Sequence, residues 1–386
     1  MAPPPQALLD SDGMLYLNGK RTFVLGLYQL PNRPDPWRDA AGAGFHVVHC
    51  KPERAMLDTA RQHAMYGWLT TGSISVTKPE PDKEKVRKLV EAFRDHPGVL
   101  FWETEDEPTF KDQHPRVLRT PPESIRAAYS LIKLIDPARP VYLNHAPTNL
   151  VSTLQRYNPG GDIIATDIYP VIPPGIRRQY ALWADGLQGD LLNTSISQVG
   201  QYADKMREVA GPRRALWMVL QAFSWEMLRK EGDRDPKMVR YPVTEEIRFM
   251  AWQAIVHGVT GLIWWGLSFT PREAPLWDEL AAVATELKQL ASELAAPRAD
   301  LRLKLTYHDL GHSLDRGVEW IAKPSGKGIL LAAVNADKNP VEATFSGLES
   351  FRRASVLGEG RSVRFSQGNL RDEFPPFGVR LYRLEP

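Results

Sequence analysis

Short apolar runs alternate with segments of helical periodicity about eight times between Thr22 and Ala295. Such alternation is typical of α/β folds with a parallel sheet. The runs are apolar on both faces, as expected for strands covered by helices on one side and by a packed interior on the other. The eight predicted strands are Thr22–Leu30, Phe45–Cys50, Tyr66–Thr71, Val99–Glu107, Pro140–His145, Asp162–Tyr169, Ala215–Phe223 and Gly261–Phe269.

Eight β/α units of this total length predict a (β/α)8 barrel, a TIM barrel. An open, doubly wound sheet is the alternative α/β fold. No glycine-rich phosphate-binding loop follows any of the predicted strands, so the functional motif most often found in that alternative is missing. The predicted fold class is therefore α/β, a barrel with a small C-terminal all-β, sandwich-like domain.

Two further units are predicted to flank the barrel, which we expect to span residues 22–298. Residues 1–21 are predicted to form an N-terminal segment and hairpin, with Asn18-Gly19 as its turn, that closes the bottom of the barrel. Residues 299–386 contain only short strand-like runs separated by Gly, Asn, Asp and Pro, which predicts an all-β domain. These runs are Leu301–Tyr307, Val318–Ala322, Gly328–Val334, Val341–Phe345 and Val379–Leu384.

Charge and cysteine content exclude several classes of function. The 48 Lys and Arg residues nearly balance 46 Asp and Glu, without a basic run, which argues against a nucleic-acid partner. The apolar runs are too short to span a bilayer, and one Cys permits neither an intrachain disulfide nor a thiolate zinc site. The first residues lack a signal-peptide pattern, so we expect a cytoplasmic protein, or a secreted or periplasmic one if a leader has been removed. Oligomeric state is not predicted.

Acidic residues crowd the end of the fourth predicted strand, FWETEDEP. In a (β/α)8 barrel the active site lies at the C-terminal ends of the strands. Alternation along an extended strand would place Glu103, Glu105 and Glu107 on one face. Carboxylates crowded together repel one another, which raises at least one pKa toward the range that a general acid needs. The alternative interpretation is a solvated acidic loop that pairs with Lys111 and Arg116.

The other strand ends carry amides, carboxylates, histidines and aromatic side chains, without a cluster of cations. This mixture suits a neutral, polyhydroxylated ligand, because sugar rings stack on aromatic faces while amides and carboxylates bind hydroxyl groups. Taken singly, a tryptophan more often fills a core, so the prediction depends on several of them falling at strand ends. The predicted residues are Tyr28, His49, Asn144, His145, Asp167, Tyr169, Gln221, Trp225, Glu226, Trp264 and Trp265.

The stretch HPGVLFWETEDEP resembles the fourth strand of clan A glycoside hydrolases, in which a Trp precedes an Asn-Glu-Pro motif whose Glu is the acid/base. LNGKRTFVLGLYQLP is similar to their first strand and DIIATDIYP to their sixth. Trp264-Trp265 is similar to an eighth-strand Trp that floors the sugar subsite, and PPFGVRLYRLE resembles the last strand of an appended β-sandwich. The resemblance implies a carbohydrate-cleaving hydrolase with Glu107 as general acid/base. Glu105 is then expected to bind a hydroxyl group or to tune Glu107.

Two positions depart from the pattern of that clan. Asp106 stands where the clan has Asn, and Gln221 stands where its nucleophilic Glu ends the seventh strand. Gln cannot form a glycosyl ester, so the second carboxylate is predicted to be Glu226 or Asp167. Alternatively, the protein is a non-catalytic barrel that binds carbohydrate. A third possibility is a barrel enzyme of another class, such as a lyase or deacetylase.

The motif HVVH contains two potential metal ligands, His46 and His49. On a strand, residues three apart point to opposite faces, so the two rings cannot hold one ion. The sequence therefore predicts no metal and no cofactor, with a carbohydrate as the partner.

Overall fold

The computed structural model describes residues 4–111, 117–146, 149–173, 195–308 and 317–386. Eight parallel strands form a closed barrel, in which the last strand pairs with the first. This confirms the predicted (β/α)8 barrel and excludes the open sheet. After the N-terminal strands β1 (Ala7–Leu9), β2 (Leu15–Leu17) and β3 (Lys20–Thr22), the barrel strands are β4 (Val24–Leu27), β5 (Val47–His49), β6 (Tyr66–Thr70), β7 (Val99–Glu103), β8 (Val141–His145), β9 (Ile163–Ile168), β10 (Ala215–Gln221) and β11 (Gly261–Trp265).

Helices connect the strands and cover the outside of the barrel. In the part of the chain that the structure describes they are α1 (Pro36–Ala43), α2 (Arg54–Gln62), α3 (Pro79–Phe93), α4 (Pro122–Ile135), α5 (Val151–Gln155), α6 (Gln198–Ala210), α7 (Thr244–Val256), α8 (Leu276–Gln289) and α9 (Ala291–Ala295). Helix α3 illustrates their packing, because Val86, Val90 and Phe93 recur at helical spacing and are all buried. Within the described residues, no helix is both long and apolar enough to cross a bilayer.

Alternation along the strands produces two separate cores. Inside the barrel, Trp68 stacks on Phe101 with ring centroids 5.3 Å apart, and Phe101 meets the edge of Trp217 at 5.3 Å. Residues of the opposite parity, such as Trp102 and Trp264, point outward and fill the layer between the strands and the helices. The barrel interior is therefore solid below its mouth, so a ligand can enter only at the rim.

The N-terminal hairpin packs against the bottom of the barrel. Strands β2 and β3 are antiparallel, and their turn residues Asn18 and Gly19 have φ angles of 51° and 78°. Positive φ at both positions is the geometry that an Asn-Gly hairpin turn supplies. Leu15 is fully buried and belongs to the interior core, and the Thr260 hydroxyl donates to the Gly13 carbonyl at 2.9 Å.

The C-terminal region contains two antiparallel sheets, which confirms the predicted all-β, sandwich-like architecture. One sheet has four strands and the other has five, and a shared core includes Phe345, Phe374 and Tyr382. The short polar strands β16 to β19 were not recognisable from hydrophobic alternation. The strands are β12 (Lys304–Tyr307), β13 (Val318–Ser325), β14 (Gly328–Asn335), β15 (Val341–Ser346), β16 (Arg353–Val356), β17 (Arg361–Ser362), β18 (Arg364–Ser366), β19 (Asn369–Phe374) and β20 (Val379–Glu385).

The fourth barrel strand is shorter than predicted. It ends at Glu103, four residues before Glu107. Glu107 has a φ of 43°, and its N–H donates to the Asn144 carbonyl at 3.1 Å. A left-handed residue cannot continue a strand, so the predicted common face for Glu103, Glu105 and Glu107 is wrong. Glu107 instead reaches the mouth from a turn attached to the end of β8.

His257 joins the barrel to the C-terminal sheets. Its Nδ1 lies 2.7 Å from Asp204 of α6, and its Nε2 lies 2.9 Å from Glu319 of β13. Burial opposes protonation of the ring, but the hydrogen bonds and charges of Glu319 and Asp204 outweigh it and raise the pKa of His257. The protonated ring therefore stabilises the junction.

We expect the free energy of unfolding to depend on this histidine. Because the pKa of His257 is raised on folding, its contribution is complete below the unfolded value of about 6.5 and is lost as pH rises through the folded value. Urea unfolding at pH 6 should show His257→Gln to be less stable than wild type by about 1–2 kcal/mol, with a smaller difference at pH 9. His308→Gln, at an exposed histidine that contacts Thr344, is the control and should behave as wild type. A pH-independent effect of His257→Gln would contradict the prediction.

Candidate active site

A cavity of about 190 Å³ opens at the C-terminal ends of the barrel strands. Its polar lining comprises the carboxyl groups of Asp106, Glu107 and Asp167 with Tyr28 and Asn144. Tyr169, Phe223, Trp225 and Trp265 form an aromatic wall opposite them. Seven of the residues predicted from strand ends thus line one cavity, namely Tyr28, Glu107, Asn144, Asp167, Tyr169, Trp225 and Trp265.

Glu107 and Asp167 are joined by a hydrogen bond between their carboxyl groups. Asp167 lies near the end of β9, inside the barrel and buried, while Glu107 is half-buried at the cavity. The turn at Glu107 is held by two backbone hydrogen bonds, from its N–H to Asn144 and from the Phe110 N–H to its carbonyl at 3.0 Å. A non-glycine residue held at positive φ is strained, and such strain concentrates at functional sites.

The pKa of Glu107 is raised well above its usual value. The largest cause is desolvation of the carboxyl group by the surrounding protein, followed by the negative charges of Asp167 and Asp106; Arg119 opposes the shift. Carboxylate crowding therefore acts as predicted, but burial is the larger cause. This shift favours the protonated form of Glu107, in which the carboxyl group can donate to Asp167.

Asn144 bridges two of the carboxylates. Its Nδ2 lies 3.0 Å from Asp106 Oδ1 and 3.3 Å from Asp167 Oδ1. The Oδ1 of Asn144 is buried without a hydrogen-bond partner among the described residues. An unpaired buried acceptor is costly.

The aromatic wall is built by packing of four rings. Tyr169 and Trp265 stack with centroids 5.5 Å apart, and Phe223 meets Trp265 edge-on at 5.1 Å. Trp225 Nε1 donates to the Tyr169 carbonyl at 3.1 Å, which fixes the orientation of its ring. Gly266 permits this packing, because a Cβ there would lie 2.5 Å from Phe223. The wall presents flat apolar faces of the kind on which sugar rings stack.

Glu103 and Phe223 belong to the site but were not predicted as site residues. Glu103 is almost fully buried just below the cavity, and its carboxylate accepts from Trp68 Nε1 at 3.1 Å and from the Thr70 hydroxyl at 2.6 Å. Burial and the neighbouring Asp106 raise the pKa of Glu103 to about 7. Its position at an inward-facing strand end was the signal that could have identified it.

His145 and Trp264 do not reach the cavity, which corrects two predictions. His145 follows the inward-facing Asn144, and Trp264 precedes the inward-facing Trp265. Because successive side chains of a strand point to opposite faces, His145 and Trp264 point outward into the helix layer. His145 meets Tyr157 edge-on at 5.7 Å, and Trp264 meets Phe45 at 5.6 Å. Both are completely buried there.

Glu105, Glu226 and His49 also lie outside the cavity. Glu105 accepts from the Thr120 hydroxyl at 2.9 Å and pairs with Arg119. Glu226 is completely buried and accepts from Arg229 Nη1 at 2.9 Å and from the Asp235 N–H at 2.6 Å. Its carboxylate therefore holds the loop after β10 instead of facing Glu107, so Asp167 is the candidate that the fold brings to the pair.

Gln221, at the position of the clan's nucleophile, binds backbone groups. Its Oε1 accepts from the Val171 N–H at 2.8 Å, and its Nε2 donates to the Val171 and Phe223 carbonyls at 2.9 and 3.0 Å. All of its polar groups are thus engaged within the protein. The side chain fastens the end of β10 to the segment that follows Tyr169, instead of contacting a ligand.

Metal ligation is not supported by the described residues, which contain no group of three His, Cys, Asp or Glu side chains suited to an ion. His46 accepts from the Leu25 N–H at 3.1 Å, and His49 contacts the Thr70 hydroxyl at 2.9 Å. Both rings are used in hydrogen bonds, His46 with the backbone of β4 and His49 with a side chain of β6.

We expect Gln221→Glu to destabilise the fold without creating a nucleophile. The substitution places a carboxylate oxygen against two backbone carbonyls in a buried setting, at a cost of about 2–3 kcal/mol. Urea unfolding should show a larger loss at pH 8 than at pH 5, where the new carboxyl can be protonated and again donate. Gln62→Glu, at an exposed position of α2, is the matched control and should change stability by less than about 0.5 kcal/mol. A fully stable Gln221→Glu protein would refute the assigned role.

No protein-family model matches the chain, and no curated protein matches it in sequence. Solved structures match it along nearly its whole length. A glycoside hydrolase family 27 β-L-arabinopyranosidase from Geobacillus stearothermophilus matches with a TM-score of 0.59 and 12% identity, over 95% of this chain and 97% of that chain. An α-amylase from Geobacillus thermoleovorans has a TM-score of 0.58 and 9% identity, over 95% of this chain and 100% of that chain.

A glycoside hydrolase family 30 xylanase from Clostridium acetobutylicum gives a TM-score of 0.52 and 10% identity, over 100% of this chain and 98% of that chain. These matches include both the barrel and the C-terminal sheets. The protein therefore shares the fold of clan A-like (β/α)8-barrel glycoside hydrolases.

Proposed function

We propose that the protein is a glycoside hydrolase that cleaves O-glycosidic bonds in an oligosaccharide, polysaccharide or glycoside. Glu107 is the general acid/base and Asp167 is the second carboxylate. The observation that carries the proposal is the hydrogen-bonded carboxyl pair in a cavity with an aromatic wall. Identities of 9–12% with the solved hydrolases show a common fold, so the assignment depends on the site.

The protonation of the pair suits acid catalysis. Glycoside hydrolysis needs one carboxylic acid to protonate the leaving oxygen and one carboxylate to attack the anomeric carbon or to activate water. Desolvation keeps the proton on Glu107, as a general acid near neutral pH requires. Binding of a glycoside replaces the hydrogen bond to Asp167 with one to the leaving oxygen, which frees Asp167 to act.

Direct attack by Asp167 fits the short separation. Two carboxyl groups of an inverting enzyme are about 6.5–9.5 Å apart because a water molecule lies between them, whereas those of a retaining enzyme are about 5–5.5 Å apart. Glu107 and Asp167 are in hydrogen-bond contact, a separation that is shorter than both ranges and therefore nearer to that of a retaining enzyme. We therefore infer a retaining reaction through an ester of Asp167.

The walls of the cavity account for recognition of a sugar. Trp265 and Tyr169 offer stacking surfaces to a ring face. The carboxylate of Asp106, which lines the cavity, can accept hydrogen bonds from hydroxyl groups. Carbohydrate is therefore the proposed substrate class.

Gln221 motivates a second candidate, a barrel that binds carbohydrate without cleaving it. This protein lacks the strand-seven nucleophile expected from the clan, and Gln221 is fully engaged with backbone groups. Release of an aryl group from a panel of aryl glycosides, dependent on Glu107, would exclude this candidate. Binding without release would favour it.

Glu107→Gln should reduce turnover more for substrates with a poor leaving group than for substrates with a good one. Removal of the general acid is expected to lower kcat/KM by about 10²–10⁴-fold for 4-nitrophenyl glycosides, and much less for 2,4-dinitrophenyl glycosides, which need little protonation. Glu105→Gln is the matched control, because Glu105 pairs with Arg119 outside the cavity, and it should retain activity within about threefold. Equal losses for both leaving groups would argue against an acid role.

Asp167→Ala should abolish turnover and respond to azide. Loss of the nucleophile is expected to lower kcat by at least about 10³-fold. The space left by the carboxylate admits azide, which attacks the anomeric carbon of an activated aryl glycoside and expels the phenolate to give a glycosyl azide. Mass spectrometry should detect the glycosyl azide with Asp167→Ala and not with Glu226→Ala. This result would support Asp167 as the nucleophile. Rescue in Glu226→Ala instead would transfer the role to Glu226.

A further inference from the structure

Glu103 is a buried carboxyl group that the proposed reaction does not use. It lies inside the barrel at the end of β7, in contact with side chains from the neighbouring strand β6 and from the segment after β4. Trp68 and Thr70 both donate to its Oε2, so this oxygen is held firmly by two donors. The other oxygen, Oε1, faces the Tyr28 hydroxyl at 3.4 Å.

The Tyr28 hydroxyl lies between three possible partners at nearly equal distances. Glu103 Oε1 is 3.4 Å away, Asp106 Oδ1 is 3.5 Å away, and the Tyr142 hydroxyl is 3.3 Å away. These distances are longer than the usual 2.7–2.8 Å for hydroxyl hydrogen bonds. A hydroxyl with one proton cannot donate to both carboxylates at once, so its direction depends on which of them carries a proton.

Tyr28 connects Glu103 to the catalytic pair. Asp106 accepts from Asn144, and the same Asn144 amide contacts Asp167. Asp167 in turn is bonded to Glu107. Polar groups linked in this way polarise one another, so a change at one end alters the bonds along the chain.

Other polar groups also face this cluster. His49 of β5 contacts the Thr70 hydroxyl at 2.9 Å, and burial lowers its pKa, so the ring is neutral. Tyr142 of β8 has its pKa raised well above the usual value by burial and by Glu103. Arg119 donates to the Asp106 carbonyl and offsets part of the negative charge at Asp106. Glu103 and Asp106 are therefore the two carboxyl groups that face the Tyr28 hydroxyl, and desolvation raises the pKa of each.

We propose that Glu103 is a positioning residue that shares one proton with Asp106 through the Tyr28 hydroxyl and thereby sets the hydrogen bonds of the catalytic cavity. While Glu103 is protonated, it donates to Tyr28, and Tyr28 donates to the Asp106 carboxylate. Once the pair releases this proton to solvent, the Tyr28 hydroxyl can donate to only one of the two carboxylates. It turns toward Glu103, and Asn144 remains the side-chain amide that donates to Asp106. Asn144 is then drawn from Asp167 toward Asp106. The kinetic consequence rests on the proposed glycosidase function, whereas the shared proton does not.

Glu103→Gln imitates the protonated state. Its amide oxygen can accept from Trp68 and Thr70 as Oε2 does, and its NH₂ group can donate to the Tyr28 oxygen. The variant therefore preserves packing and removes only the ionisation. A thermal melt at pH 6 should lie within about 3 °C of wild type, since each replaced bond has a counterpart.

Infrared spectroscopy tests the shared proton without any substrate. A difference spectrum of wild type minus Glu103→Gln should show a protonated carboxyl band at pH 5 that disappears with a midpoint near pH 7. In an Asp106→Asn background the midpoint should fall by at least one pH unit, because a neighbouring negative charge has been removed. A carboxylate band at all pH values, or a midpoint unchanged by Asp106→Asn, would overturn the proposal whether or not the protein hydrolyses glycosides.

The pH profile of kcat/KM tests the effect on the cavity. Wild type should lose activity as pH rises through about 7, and Glu103→Gln should move this alkaline midpoint upward by at least one pH unit with the acid limb unchanged. In a Tyr28→Phe background, which keeps the ring against Trp68, Glu103→Gln should no longer move the midpoint. Superimposable profiles, an equal loss at every pH, or a shift that persists without the Tyr28 hydroxyl would each refute the route through Tyr28. If the infrared titration is as expected but the protein shows no turnover, the result counts against the glycosidase function and not against the proposal for Glu103.

Discussion

Pairing of β11 with β4 closes the barrel, and the enclosed mouth of the candidate site depends on that closure. Direct pairing of β7 with β8 and of β8 with β9 places the ends of these strands side by side, so Glu107, Asn144 and Asp167 meet at one edge although they are far apart in sequence. Closure adds Trp265 of β11 and Tyr28, which follows β4, to the same mouth. It also creates an interior that aromatic rings fill completely below the rim. The bottom is sealed by the N-terminal hairpin, which leaves the mouth as the place where polar groups and a ligand can meet.

Desolvation then determines the chemistry at this mouth. Carboxyl groups in water would all be ionised at neutral pH, but the protein around Glu103 and Glu107 raises both pKa values. The repulsion between neighbouring carboxylates adds to this effect, so protons are retained within the cluster. Hydrogen bonds of Asn144 and Tyr28 connect the buried Glu103 to the pair that we propose to be catalytic.

Hydrophobic pattern and strand ends were sufficient for the barrel, the hairpin and seven residues of the cavity. The sequence predictions were wrong where the direction of a side chain had to be inferred at or beyond the end of a strand. Glu107 lies beyond the end of β7 in a left-handed turn, so a face assigned by extended alternation could not describe it. His145 and Trp264 were assigned to the mouth because they end strands, yet their parity directs them outward. For Glu226, local sequence contains no sign that Arg229 and the Asp235 N–H would engage the carboxylate.

Local sequence determined the element types, because helical and strand periodicities are properties of neighbouring residues. It also determined that acidic and aromatic side chains would lie at the mouth, since strand ends are visible in the chain. Only the tertiary structure decided which carboxyl groups meet. Glu107 and Asp167 are sixty positions apart. Their hydrogen bond, the desolvation around them and the engagement of Gln221 by Val171 all depend on the pairing and packing of the barrel strands, which join residues that no local pattern relates.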